Sequence, residues 1–151
     1  MRIAIGADHA GFELKAPVEM ALASWGHDVL SLGIFSPEPV DFPDVVVPVC
    51  EAVLAGEADR GILVCGTGIG ACMAANKVPG IRAALCHDVH SAHQSVEHDD
   101  ANVACLGAKI VGEWIALDLI RTFLDATFKG EEHFQRRIDK MTSLENRPRH
   151  R

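Results

Sequence analysis

Cys65 closes a short apolar run, Ile62-Leu63-Val64, and glycines follow it at 66, 68 and 70 with Thr67 and Ile69 between them. An unbroken apolar, partly β-branched run marks a strand buried on both faces. Behind the glycines, Cys72-Met-Ala-Ala-Asn-Lys77 reads as a helix running to Pro79. Strand, glycine turn and helix start together gather unpaired backbone N–H groups at one place, where an anion is welcome. A thiol stands at the mouth of that cradle. The chemistry suggested is a reactive sulfur facing a bound or developing anion.

Other readings of the same residues compete with it. Cysteine is among the most often buried residues, so a cysteine ending a strand is frequently packing. Gly66, Gly68 and Ala71 also fit the G-x-G-x-x-G/A turn that carries dinucleotides, and Asp88 lies near where an acidic residue would meet a ribose hydroxyl. A cysteine-phosphatase loop is excluded, because the arginine it needs six residues after the cysteine is Ala71. Elsewhere, Asp8-His9 and His87-Asp88 each follow an apolar run, and His98 falls where a helix ends. A histidine there is commonly a solvated cap favoured by the helix dipole. His133-Phe-Gln-Arg-Arg137 offers two arginines on a late helix, a pattern more often a solvated face than an anion site.

The elements that must position these groups alternate along the chain. Strands are expected at 2–6, 27–33, 61–64, 81–86 and 102–107, and helices at 12–25, 44–55, 72–77, 89–97, 111–128 and 131–144. Prolines at 37, 39 and 43 make 34–43 a loop. Trp114, Leu117, Ile120, Phe123 and Leu124 are expected on the apolar side of the long helix. Strand–helix alternation with short links predicts a parallel, doubly wound sheet. Right-handed crossovers then send every strand's carboxyl end to one edge, where ligands of such sheets bind. That edge receives Asp8-His9, Cys65 with its turn, and His87-Asp88.

Composition narrows the function. A chain of 151 residues is one ordinary domain, expected over 1–145 with a C-terminal tail at 146–151. A formal net charge of -7, with no basic run before the tail, excludes nucleic acid and anionic membranes as expected partners. Five cysteines at irregular spacings, with no C-x-x-C pair, predict neither a disulfide framework nor a zinc site. Without a signal peptide or a long apolar span, the expected compartment is the cytoplasm.

Ile5-Gly-Ala-Asp-His-Ala-Gly-Phe-Glu-Leu-Lys15 resembles the opening of the type B ribose-5-phosphate isomerases. The likeness continues through Asp41-Phe-Pro-Asp44, Cys65-Gly-Thr-Gly-Ile-Gly70, Ala74-Ala-Asn-Lys77, His98-Asp-Asp-Ala-Asn-Val103, Leu106-Gly-Ala-Lys109 and His133-Phe-Gln-Arg136. The resemblance implies a Rossmann-like three-layer α/β/α fold with a five-stranded parallel sheet. It also implies aldose–ketose interconversion, chiefly ribose 5-phosphate to ribulose 5-phosphate, through a cis-enediolate and without metal or cofactor. A proton on carbon beside a carbonyl must leave, which needs a base, and the resulting oxyanion needs donors. Cys65 matches the family's base; Thr67 and the amides of Gly66, Gly68, Ile69 and Gly70 match the enediolate holders. His98 matches the ring-opening residue. Asp8, His9, Asp99, Lys109, His133 and Arg136 match substrate-binding positions. His98 and its neighbours are expected to reach the active site of a second subunit, which makes the enzyme at least a homodimer.

The chain departs from the family pattern where it grips substrate. Asp99 stands in place of the usual asparagine and, ionised, can only accept hydrogen bonds. Lys109 replaces a common arginine, keeping charge but losing the planar fork. Glu132 occupies the place of one of two phosphate-gripping arginines, Arg136 being the other. Other aldoses and aldose phosphates therefore stand beside ribose 5-phosphate as expected substrates, and a dinucleotide-binding module stands as the reading from another class.

Overall fold

The structure is a computed structural model that describes residues 1–147. Its strands are β1 (Arg2–Ala7), β2 (Asp28–Ser31), β3 (Arg60–Cys65), β4 (Ala83–Leu85) and β5 (Val103–Gly107). All pair in parallel, in the order β2-β1-β3-β5-β4. The connecting helices are α1 (Phe12–Ser24), α2 (Phe42–Leu54), α3 (Ile69–Ala75), α4 (Val89–Asp99) and α5 (Glu113–Asp125), and α6 (Glu132–Glu145) follows. This is the expected five-stranded parallel α/β fold. Among the described residues no helix is long and apolar enough to cross a membrane.

The two-residue period of a strand divides the apolar residues between two cores. Ile3, Ile5, Ile62, Val64, Ala104 and Leu106 face α1, α4 and α5, where they meet Val18, Leu22, Val96, Leu119, Ile120 and Phe123. Ala4, Leu63, Cys65, Val103 and Cys105 face α2 and α3, against Val46, Val49, Cys50, Ala71 and Ala75. Cys65 thus stands on the α2/α3 side, opposite Gly107 in the β3–β5 register.

Several boundaries differ from expectation, each for a local reason. Helix α2 starts at Phe42, so Pro43 lies in its first turn rather than in the loop; a missing N–H costs nothing there. Helix α3 starts at Ile69, because Gly68 takes the left-handed conformation (φ 77) and turns the chain straight into it. Helix α5 is shorter than expected at both ends. Gly112 caps its start and Ala126 is already extended, while the Arg60 guanidinium donates to the carbonyls of Phe123 and Ala126. Trp114, placed by spacing on the apolar side of that helix, is 85% exposed.

Strand β4 keeps only three of the six residues expected, and side chains complete its edge. The Asn76 amide donates to the Ala83 carbonyl and accepts from the Ala83 N–H, both at 2.9 Å. Asn102 does the same for Arg82 N–H (2.8 Å) and the Gly80 carbonyl (3.0 Å). Amides that satisfy an edge strand's backbone also discourage another chain from adding to it. Helix α4 runs to Asp99, which puts His98 inside its last turn. The expected tail begins with Asn146 and Arg147 after α6; its residues 148–151 lie outside the described residues.

Candidate active site

At the carboxyl end of β3 the turn closes on its own cysteine. The Gly68 N–H donates to Cys65 Sγ at 3.1 Å, and the Ile69 N–H donates to Thr67 Oγ1 at 3.4 Å. Neighbouring backbone holds the turn down: Ala108 N–H donates to the Cys65 carbonyl and Lys109 N–H to the Gly66 carbonyl, each at 2.9 Å. A Cβ on Gly68 would lie 2.6 Å from Leu85 Cδ1 and 2.9 Å from the Leu106 carbonyl carbon. Only glycine combines that closeness with φ +77. Gly68→Ala is accordingly expected to cost ~1–2 kcal/mol in backbone strain and about as much again from overpacking. A lowered thermal midpoint together with a larger loss of turnover would check it; an unchanged enzyme would mean the turn is slack.

The β1 turn is packed against the same place. Asp8 is buried, donates its N–H to the Val64 carbonyl (3.2 Å), and uses Oδ1 to accept from Ala10 N–H (2.9 Å) and Gly11 N–H (3.0 Å). A Cβ on Gly11 would lie 2.3 Å from the Val64 carbonyl oxygen, so the two turns touch. His9 Nδ1 accepts from Val40 N–H at 3.3 Å, which leaves Nε2 as the nitrogen available to donate. His9, Glu13, Lys109 and Glu113 line a cleft of about 550 Å³ beside this edge. His87, not singled out as a site residue from the sequence, anchors the far side: its Nε2 accepts from the Gly107 N–H at 3.2 Å, leaving Nδ1 as donor. Its position after a strand was the available signal.

The other residues named from the sequence form a second group. Helix α4 carries the chain from the carboxyl edge back to the edge where strands begin, and Asp100, just beyond it, is held at 2.6 Å by Arg82, which precedes β4. His98 stacks on Phe134 of α6 (ring centroids 4.2 Å apart), and His133 lies 4.0 Å from the same ring. His98 Nε2 is 3.3 Å from Glu97 Oε2. Glu97 also meets Lys129 Nζ at 3.1 Å and His93 Nε2 at 3.4 Å. The Lys129 contact, supported by His93 against the cost of desolvation, holds the Glu97 carboxyl below the usual carboxylate range. Phe134 stood inside the quoted His133–Arg136 motif without a role of its own, and Glu97 left no mark in the sequence that would single it out. Asp99 lines a cleft of about 500 Å³ with Arg82, Ser95 and Met141, and Arg136 is exposed on α6.

One chain therefore assembles Asp8, His9, Cys65, Gly66, Thr67, Gly68, Ile69, Gly70 and Lys109 at the carboxyl edge of the sheet. It leaves His98, Asp99, His133 and Arg136 at the opposite end. Among the described residues no three His, Cys, Asp or Glu side chains converge as a metal ion would require.

Known proteins resemble this chain in sequence and fold over nearly its whole length. Residues 3–141 match the family described as Ribose/Galactose Isomerase. The ribose-5-phosphate isomerase B of Escherichia coli is 41% identical over 146 residues, 97% of each chain. The D-erythrulose-4-phosphate isomerase of Pectobacterium atrosepticum is 39% identical, with 99% of each chain covered. The structure of Clostridium thermocellum ribose-5-phosphate isomerase B superposes with a TM-score of 0.94 at 46% identity, covering 97% of this chain and 98% of that one. A cysteine-bearing amide turn on a five-stranded parallel sheet is thus set in a chain that belongs to the ribose/galactose isomerase family, a family of aldose–ketose isomerases.

Proposed function

We propose that the chain interconverts ribose 5-phosphate and ribulose 5-phosphate in the cytoplasm, needing no metal or cofactor, with Cys65 as the base. The observation that carries this reading is the Gly68 N–H directed at Cys65 Sγ from inside a turn of converging amides. In the open-chain aldose, Cys65 takes the C2 proton and returns it to C1 of the cis-enediolate. Thr67 and the amides of residues 66–70 hold the two enediolate oxygens, whose charge develops only during the reaction. Asp8 and Lys109 border the sugar, and the His9 Nε2–H points a donor toward the phosphate. His98 opens the furanose by moving a proton between ring oxygen and anomeric hydroxyl. Since one chain holds His98, Asp99, His133 and Arg136 away from Cys65, a second copy supplies them, and the working enzyme is a homodimer. Isomerase assays on pentose, tetrose and hexose phosphates beside their free sugars test the assignment. Turnover best on ribose 5-phosphate supports it; turnover confined to an unphosphorylated aldose contradicts it.

Glu132 favours a second reading, in which another aldose or aldose phosphate is preferred. It lies one turn before Arg136 on α6, and a carboxylate beside a phosphate is repulsive. Glu132→Arg is then expected to lower KM for ribose 5-phosphate about tenfold, since charge-assisted contacts to phosphate are strong hydrogen bonds. Arg136→Ala is expected to raise it, and neither should alter KM for free ribose. A Glu132→Arg enzyme weakened on a free sugar alone would show that the carboxylate binds sugar, and that the preferred substrate is unphosphorylated.

A further inference from the structure

Glu97 is half-buried in the last turn of α4, with three side-chain nitrogens around its carboxylate. One oxygen, Oε1, is anchored by Lys129 Nζ at 3.1 Å and by His93 Nε2 at 3.4 Å. The other, Oε2, faces His98 Nε2 at 3.3 Å. The Lys129 N–H also donates to the Glu97 carbonyl at 3.0 Å, so the segment after α5 grips this residue at main chain and side chain. A carboxylate in a helix's last turn meets the negative end of the helix dipole and is disfavoured there. The Lys129 contact offsets that cost and keeps the group ionised. Exposed ion pairs to Lys129 and His93 would by themselves be a weak tie between elements; such a tie has no need of Oε2 turned to His98. The His98 ring is bounded on two sides. Its face stacks on Phe134, with centroids 4.2 Å apart and planes at 21°, and its Nε2 edge faces Glu97. The nitrogen left to meet a substrate is Nδ1.

We propose that Glu97 is a positioning residue for ring opening, its Oε2 steadying the His98 ring and stabilising the imidazolium formed as the sugar opens. The inference rests on the ring-opening role proposed for His98. In that step His98 Nδ1 takes the proton of the anomeric hydroxyl while the bond from C1 to the ring oxygen breaks and the C1 carbonyl forms. The imidazolium then gives a proton to the ring oxygen, which becomes a hydroxyl, and the histidine ends neutral. No proton or electron is gained or lost overall. Positive charge sits on the ring only between the two transfers. A fixed negative charge behind it therefore lowers the barrier without tightening the binding of substrate. An anchored carboxylate behind a histidine serves this purpose in other enzymes, fixing the ring and supporting its charged form. Glu97 touches no substrate and acts through His98. Its effect is confined to sugars that close into a ring, because the proton transfer at Cys65 begins from the open aldose.

Glu97→Gln keeps the side chain's size and removes its charge. It is assayed beside His98→Asn and the double variant, on ribose 5-phosphate and on erythrose 4-phosphate, which stays open. For Glu97→Gln, kcat on ribose 5-phosphate should fall about 10–100-fold, as loss of a histidine's outer carboxylate partner commonly does. KM should change little, and turnover of erythrose 4-phosphate should be nearly spared. In the His98→Asn background the same substitution should cost nothing more, since residues that act through one another are not additive. Thermal midpoints of all three variants read the tie to Lys129 separately from turnover. Full activity of Glu97→Gln on ribose 5-phosphate would overturn the inference. So would equal losses on the two substrates, or a loss of the same factor with and without His98; Glu97 would then be a structural tie, and the role of His98 would stand. A His98→Asn enzyme that falls alike on both substrates would instead remove the ring-opening role itself, and the inference would fall with it.

Discussion

Cys65→Ala is expected to lower kcat for ribose 5-phosphate by about 10²–10⁴-fold, the usual worth of a positioned general base, while KM changes little. The sulfur lies at the end of β3 with the Gly68 amide on it, and the groups proposed to bind the sugar belong to other parts of the site. Removing it should cost little stability, because it sits at the rim of the α2/α3 core rather than at its centre. Thermal unfolding beside steady-state kinetics separates the two effects. An enzyme that folds normally and turns over normally would make Cys65 a packing residue and pass the proton to another group.

The second large effect is expected at His98, and it depends on the substrate. His98→Asn removes the group proposed to open the furanose, so turnover of ribose 5-phosphate should fall by about 10²–10⁴-fold. Erythrose 4-phosphate carries its phosphate on the oxygen that would close the ring and stays open, so its turnover should be nearly spared. Damage to the α4–α6 packing, where His98 stacks on Phe134, would instead lower both alike. Equal losses on the two substrates would therefore remove the ring-opening role while leaving the base untouched.

Much of the scaffold was legible because it follows from short-range chemistry. Each strand is an apolar run closed by glycine or a polar pair, and helices such as α1 and α2 end at a glycine stop, Gly26 and Gly56. Where the reading slipped, a tertiary contact decided the outcome. Arg60, distant in sequence, ends α5 by capturing its last carbonyls, and nothing inside that helix announces it. Asn76 and Asn102 shorten β4 by taking its hydrogen bonds with side chains. Trp114 fits the helical period yet points outward, since periodicity identifies a stripe but not whether another element covers it. The Cys65 turn was readable as a cradle from glycine spacing alone. Its separation from His98 and its neighbours was implied by the family resemblance and not by spacing; the physical reason is that α4 returns His98 and Asp99 to the far end of the sheet, where Phe134 of α6 stacks on His98.

This partition makes the shared active site the claim on which the account rests. Cys65→Ala and His98→Asn, each nearly inactive on ribose 5-phosphate, can be mixed, dissociated and reassembled. In a two-fold dimer half of the products are hybrids, and each hybrid has one site with both defects and one with neither. Activity should return to about one quarter of the parent's, and no further, by the arithmetic of a closed two-fold assembly. A mixture that stays as inactive as its components, although subunit exchange is verified by mass, would show that each chain completes its own site and would contradict the account.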